Sequence, residues 1–204
     1  MAGDVSSADW KQSYVMSGRV FMLQFGTEDA PVASTGSVDD LLAMATVDVP
    51  DGTTIMPLWG QGVVGTWTTA TLINYMIEID NGKVRRASGG TAFTPICLRT
   101  DLKNGTGSLG VSGCTAYVAG GSDIVAAAKT SGGSLEIYRE SIEVNVGNAA
   151  DYWPKMEYNP VIAPVVIGPA SVLVHFGAAA DLTVYGNLMW AEFPSAHIVT
   201  PAAI

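Results

Sequence analysis

The sequence predicts an all-β domain, and three observations predict it. Gly, Ser, Asn, Asp and Pro punctuate the chain at roughly 8–15-residue intervals, close to the turn rhythm of sandwiches and barrels. Leu72–Asp80 alternates cleanly, with Ile73, Tyr75, Ile77 and Ile79 on one face and Asn74, Glu78 and Asp80 on the other, which is the period-2 signature of a strand. Helix signals are few. Ser37–Met44 has an N-capping serine and two aspartates, Asp39 and Asp40, in its first turn, where negative charge is favourable.

In chain order, residues 1–13 are a polar N-terminal arm, with one helical turn expected near residues 8–12. Tyr14–Phe25 reads as extended, with Val15, Phe21, Leu23 and Phe25 on one side. After a small-residue loop and the 37–44 helix come Thr46–Val49, the turn Pro50-Asp51-Gly52, and Thr53–Trp59. Gly60–Thr66 then reads as a loop flanked by Trp59 and Trp67. Asn81-Gly82 tolerates positive φ and predicts a hairpin returning through Lys83–Ser88. Shorter strands are expected at Phe93–Thr100, Thr115–Ala119 and Ile124–Ala128. Leu135–Val146 slips its phase by one residue, which predicts a β-bulge near Arg139–Ser141.

Residues 14–204 are expected to form one domain, a β-sandwich. A jelly roll suits it better than an antibody-like arrangement, because Cys97 and Cys114 are too close in sequence to frame a Cys…Trp…Cys core.

Composition narrows the function. The 204 residues carry 14% charged side chains, 23 glycines and a net charge of −9, against about 25% charged residues in ordinary soluble domains. A charge-poor surface suits contact with protein. The basic residues are scattered apart from Arg85-Arg86, so the clustered cations that bind nucleic-acid phosphates are missing. The N-terminus lacks the basic and apolar regions of a signal peptide, and Pro164, Gly168 and Pro169 break the apolar runs below membrane-helix length. A soluble chain is expected, with Cys97 and Cys114 as reduced, buried, non-catalytic thiols.

No motif for catalysis or cofactor binding survives its structural requirements. Gly105-Thr-Gly-Ser-Leu-Gly110 fits G-x-G-x-x-G, but Val111–Val118 directly after it reads as loop and strand rather than helix. The two histidines, His175 and His197, lack close metal-ligand spacing. There is no G-x-S-x-G elbow, and Asp39-Asp40 point to different sides of any element. The expectation is no enzyme, no cofactor and no metal. Five tryptophans leave a carbohydrate- or receptor-binding module as the alternative, with Trp59 and Trp67 as the sugar platform.

The C-terminal quarter, Val161–Phe193, is apolar on more faces than a solitary domain would be expected to bury. Leu182, Val184, Leu188 and Trp190 share one face of the last strand, and Tyr185, Met189, Ala191 and Phe193 share the other. A second copy of the chain is the expected cover. The run Val166-Ile-Gly-Pro-Ala-Ser-Val-Leu-Val-His-Phe, with Gly186-Asn-Leu-Met-Trp-Ala-Glu-Phe after it, resembles the last strands of the jelly-roll decoration, or cement, proteins of tailed-bacteriophage heads. That resemblance covers about the last forty residues and the general strand rhythm. It implies a homotrimeric structural virion protein on the outer capsid surface, assembled in the host cytoplasm and seated on the major capsid protein. Val172, Val174, Phe176, Leu188 and Trp190, or the opposite faces of their strands, are then the expected trimer interface. Trp10, in an arm reaching a neighbouring subunit, is the expected capsid contact.

Overall fold

The structure is a computed structural model, and it describes residues 10–34, 42–67, 69–81, 86–102, 110–120, 124–128, 133–145, 153–179 and 181–198. These residues build two antiparallel sheets packed face to face, a small third sheet outside one of them, and an α-helix outside the other.

The first sheet runs β13 (Lys155–Tyr158), β5 (Thr53–Trp67), β16 (Leu182–Pro194), β1 (Val20–Phe25) and β9 (Ile96–Cys97). Two short strands extend it: β2 (Val32–Ser34) pairs with β16, and β14 (Val166–Ile167) pairs with β5. The second sheet runs β12 (Ser134–Val144), β6 (Thr71–Asp80), β15 (Ala170–Ala178), β4 (Ala45–Val49), β10 (Thr115–Val118) and β8 (Thr91–Phe93). The small sheet, β3 (Leu42–Ala43), β11 (Ile124–Ala126) and β7 (Ala87–Gly89), covers the outer face of β15. Leu42 O receives the His175 ring, and the Arg86 amide donates to Ser171 Oγ at 3.0 Å.

Alternation decides what lies between the sheets. Phe21, Leu23 and Phe25 meet Ile73, Tyr75, Ile77, Val172, Val174 and Phe176 in one core. Its centre is aromatic: the Tyr75 and Phe176 rings stack at 4.7 Å, and Phe25 lies 6.4 Å from Phe176. Trp190 lies on the same side, 6.5 Å from Phe21.

The packing explains why Gly60–Thr66 is strand rather than the expected loop. A Cβ on Gly62 would lie 2.0 Å from Phe176 Cζ, and one on Gly60 would lie 2.9 Å from the Tyr75 hydroxyl oxygen. The glycines let β5 run straight beneath large rings of the opposite sheet. They mark close approach rather than a break in the strand.

Other expectations change where long-range pairing overrides local signals. Leu42 and Ala43, the described part of the expected 37–44 helix that precedes Met44, are strand β3 because they pair with Val125 and Ile124; residues 37–41 lie outside the described set. Helix α1 occupies Trp10–Met16, so Tyr14 and Val15 are helical and the extended segment begins at Val20. The Asn81-Gly82 hairpin is not formed as expected. The partner of β6 is β12, the Asn81 amide donates to Gly133 O, and β7 pairs with β11; residues 82–85 are outside the described set. The bulge in β12 falls between Glu136 and Tyr138, before the expected Arg139–Ser141.

Gly62→Ala is expected to overpack this core and lower the unfolding free energy by about 1–3 kcal/mol. Phe176→Leu in the same chain should restore part of that loss. Urea unfolding of the single and double variants tests the contact, and a Gly62→Ala protein as stable as the parent would contradict it.

Candidate interaction surfaces

The five residues expected at a trimer interface are inside the single chain. Val172, Val174, Phe176, Leu188 and Trp190 retain 0–4% of their surface, because the opposite sheet covers them. They are core residues, which corrects the expectation. The outer face of β15 is covered by the small sheet, and that of β16 is covered by α1 only around Ala191 and Phe193. Under α1, Tyr14 packs edge-on against Phe193 at 5.1 Å, and Val15 packs against the cluster of Val20, Leu58 and Ala191.

Lys11 fastens that helix, donating to Leu58 O at 3.1 Å and to Asn159 Oδ1 at 2.7 Å. Residues 10–13, expected to order only against a neighbour, therefore dock on their own chain; residues 1–9 are outside the described set. Trp10 is 39% exposed, edge-on to Tyr14 at 5.8 Å.

The outer face of the second sheet hides a charged cluster. Register places Asp48, Ser171 and Asp80 side by side on β4, β15 and β6, with Glu78 and His175 on the same face. All are buried, as is Arg86 from the segment before β7. Arg86 Nη1 lies 2.8 Å from Glu78 Oε2 and its Nε lies 3.7 Å from Asp80 Oδ2, while Nε donates to Ala127 O at 3.0 Å. Ser134 donates to Glu78 Oε1, and His175 Nε2 stands 3.6 Å from Glu78 Oε2. Burial alone would raise the Glu78 carboxyl. The nearby His175 ring, the hydrogen bond from Ser134 and the Arg86 guanidinium together outweigh burial and hold it well below its ordinary range.

The sequence showed Glu78 and Asp80 sharing a face but not that Arg86 would be folded over them. His175 and Glu78 have no exposed surface, so no substrate reaches them while the small sheet is in place. Among the described residues no group of three or more His, Cys, Asp or Glu could hold a metal ion. His197 stands apart, in a 3-10 turn at Ser195–His197. Cys97 and Cys114 are free and buried, and burial together with the Glu192 charge pushes the Cys114 thiol far above its ordinary range. Residues 39–40 and 105–109 of the excluded motifs lie outside the described set.

Beyond α1 the outer face of the first sheet is open. Register aligns Gln61, Asn187 and Gln24 on adjacent β5, β16 and β1, with Glu157 of β13 next to Gln61. Beside that row run Trp59, Met189 and Met22. On its other side stands Tyr185, with Trp153 edge-on at 6.0 Å. Trp59 Nε1 donates to Glu157 Oε1 at 2.9 Å. Trp67 is buried, with Nε1 donating to Asn145 O at 3.3 Å, so Trp59 and Trp67 do not form the expected platform.

The apolar surplus of the C-terminal quarter lies in a loop. Between β13 and β14, Val161 is 90% and Ile162 86% exposed, and Val165 and Ile167 are exposed beside them. A hollow of about 270 Å³ under this loop is lined by Leu135, Ile137, Tyr158, Pro160 and Ile162.

No protein-family model, curated protein or solved structure matches this chain.

Removing one partner of a buried ion cluster leaves uncompensated charge and costs about 3–5 kcal/mol; Arg86→Met is expected to lose that much in urea unfolding. The Glu78 carboxyl is lower in the folded state than its unfolded value of 4.5. Its contribution is therefore complete above that value and is lost as pH falls below it. Between about pH 6 and about pH 3, Glu78→Gln should show a smaller drop in unfolding free energy than the parent. Equal drops would remove Glu78 from the acid response.

Proposed function

We propose that this chain is a structural virion protein, a jelly-roll decoration or cement protein that braces the outer surface of a phage capsid as a homotrimer. The observation that carries the reading is strand order. With β8, β9 and β10 at the far edges and the off-path β2 and β14 set aside, the two sheets consist, along the chain, of β1, β4, β5, β6, β12, β13, β15 and β16. One sheet takes them in the order first, eighth, third, sixth, and the other takes them second, seventh, fourth, fifth. That alternation matches the double Greek key of a jelly roll, an architecture recurrent in capsid and lectin domains.

Supporting observations come from the surface. Charged residues are only 14% of the chain, and the apolar loop at Val161 and Ile162 offers a contact that water does not favour. The proposed trimer seam is this loop and Leu135, at the side of the sandwich where β12 and β13 are edge strands. Trp10 faces outward from α1 and is the proposed contact with the major capsid protein, since tryptophan is favoured at the energetic centres of interfaces.

Native mass spectrometry of the purified chain is expected to show a trimer. Val161→Asp with Ile162→Asp should convert it to a monomer of unchanged circular dichroism. A parent that stays monomeric at micromolar concentration would overturn the trimer. Trp10→Ala is expected to leave the trimer intact and weaken attachment to particles at least tenfold in co-sedimentation, and unchanged attachment would remove Trp10 from that role.

A further inference from the structure

We infer that the open half of the first sheet's outer face is a binding site for a neutral glycan. The inference does not depend on the capsid reading, because it rests on a different face of the sandwich.

The site is built by register. Gln61, Asn187 and Gln24 come from distant parts of the chain and stand side by side on three adjacent strands. Strands lie about 4.8 Å apart, a distance comparable with one pyranose ring. A row of amides at that interval presents a donor and an acceptor to each successive sugar. Among the described residues, these three side chains make no hydrogen bond to protein, and each is partly open to solvent. Amide groups carry both donors and acceptors, so they can satisfy hydroxyls in either direction.

Aromatic rings bracket the row. Trp59 lies beside it towards α1, fixed by its bond to Glu157, and Tyr185 lies on the far side with Trp153 against it. Trp59 is opposite Met189, four residues along β16 from Tyr185, so the two rings are separated by roughly 13 Å along the strand. A short oligosaccharide on the amide row would meet a ring at each flank. Beyond Trp59, a cavity of about 260 Å³ runs under the helix between Lys11, Val15, Leu58 and Met189, with room for a sugar substituent.

Charge selects the class of glycan. The row itself is uncharged: Lys155 and Glu157 beside it are 3.9 Å apart and compensate each other, while single charges of opposite sign stand at its two ends, Lys11 in the cavity beyond Trp59 and Glu28 near Tyr185. A sulfated, phosphorylated or sialylated chain would find no clustered cation. A neutral polyhydroxylated chain is matched at each point by an amide or a ring face.

The test is isothermal titration of the full-length protein with maltohexaose, cellohexaose, laminarihexaose, mannohexaose and N-acetylchitohexaose. At least one is expected to bind with a dissociation constant tighter than about 1 mM, accompanied by a change in tryptophan fluorescence. Gln61→Ala with Asn187→Ala, and separately Trp59→Ala, should each weaken binding at least tenfold. Circular dichroism and the unfolding midpoint of the amide double variant should match the parent, and Asn187→Leu, which keeps the volume and removes the amide, should weaken binding as well. Failure of all five sugars to bind overturns the proposal, as does binding that none of the variants changes. If the sugars fail and the amide variants instead alter oligomeric state or particle attachment, the face is a protein interface and the glycan assignment is wrong.

Discussion

Strand β15 is buried at every position from Ala170 to Ala178, and the need to cover both of its faces organises the rest of the structure. Its inner residues Val172, Val174 and Phe176 require a second sheet, which β1, β5 and β16 supply. Its outer residues Ser171 and His175 are polar, so apolar cover alone would strand their hydrogen-bonding groups. The small sheet and its flanks therefore lie over that face. They bring Arg86, whose amide meets Ser171 and whose side chain is held by Ala127 O, and the Leu42 carbonyl, which meets His175.

The buried cluster beneath this cover shapes the fold more than it stabilises it. Coulombic gain in a buried ion pair is largely offset by desolvation, whereas an incomplete cluster is strongly unfavourable. Glu78, Asp80 and Arg86 thus disfavour any arrangement in which the small sheet lies elsewhere. The same constraint explains why an acid–base pair resembling catalytic machinery, His175 with Glu78, has none of the access that catalysis requires.

The first sheet is finished differently, and that difference leaves the molecule its surfaces. Helix α1 covers only the half around Val20, Leu58 and Ala191. The remainder keeps a polar row between aromatic flanks, while the apolar excess of the C-terminal quarter is gathered at Val161 and Ile162 in a connecting loop. The two proposals place association through apolar contact at one side of the sandwich and recognition of a neutral polar ligand on one face. The two are separate, so the proposed virion assembly and the proposed glycan binding do not compete for the same residues.

Periodicity in the sequence determined which residues share a face. Ile73, Tyr75, Ile77 and Ile79 lie together in the core, as do Leu182, Val184, Leu188 and Trp190, and Trp59 stood out as a candidate binding residue. What covers each face was decided only in three dimensions. The apolar faces of Val172, Val174, Phe176, Leu188 and Trp190, assigned to a second chain, are covered by the opposite sheet of the same chain. Gly60 and Gly62 became strand because rings from the other sheet need their space. Arg86 found its carboxylates across the outer face of the second sheet, and Gln24 its neighbours Asn187 and Gln61 through strand register. The reason is physical. Alternation is a local property of the backbone and is readable from a few consecutive residues, whereas cover, close approach and register are set by partners distant in sequence.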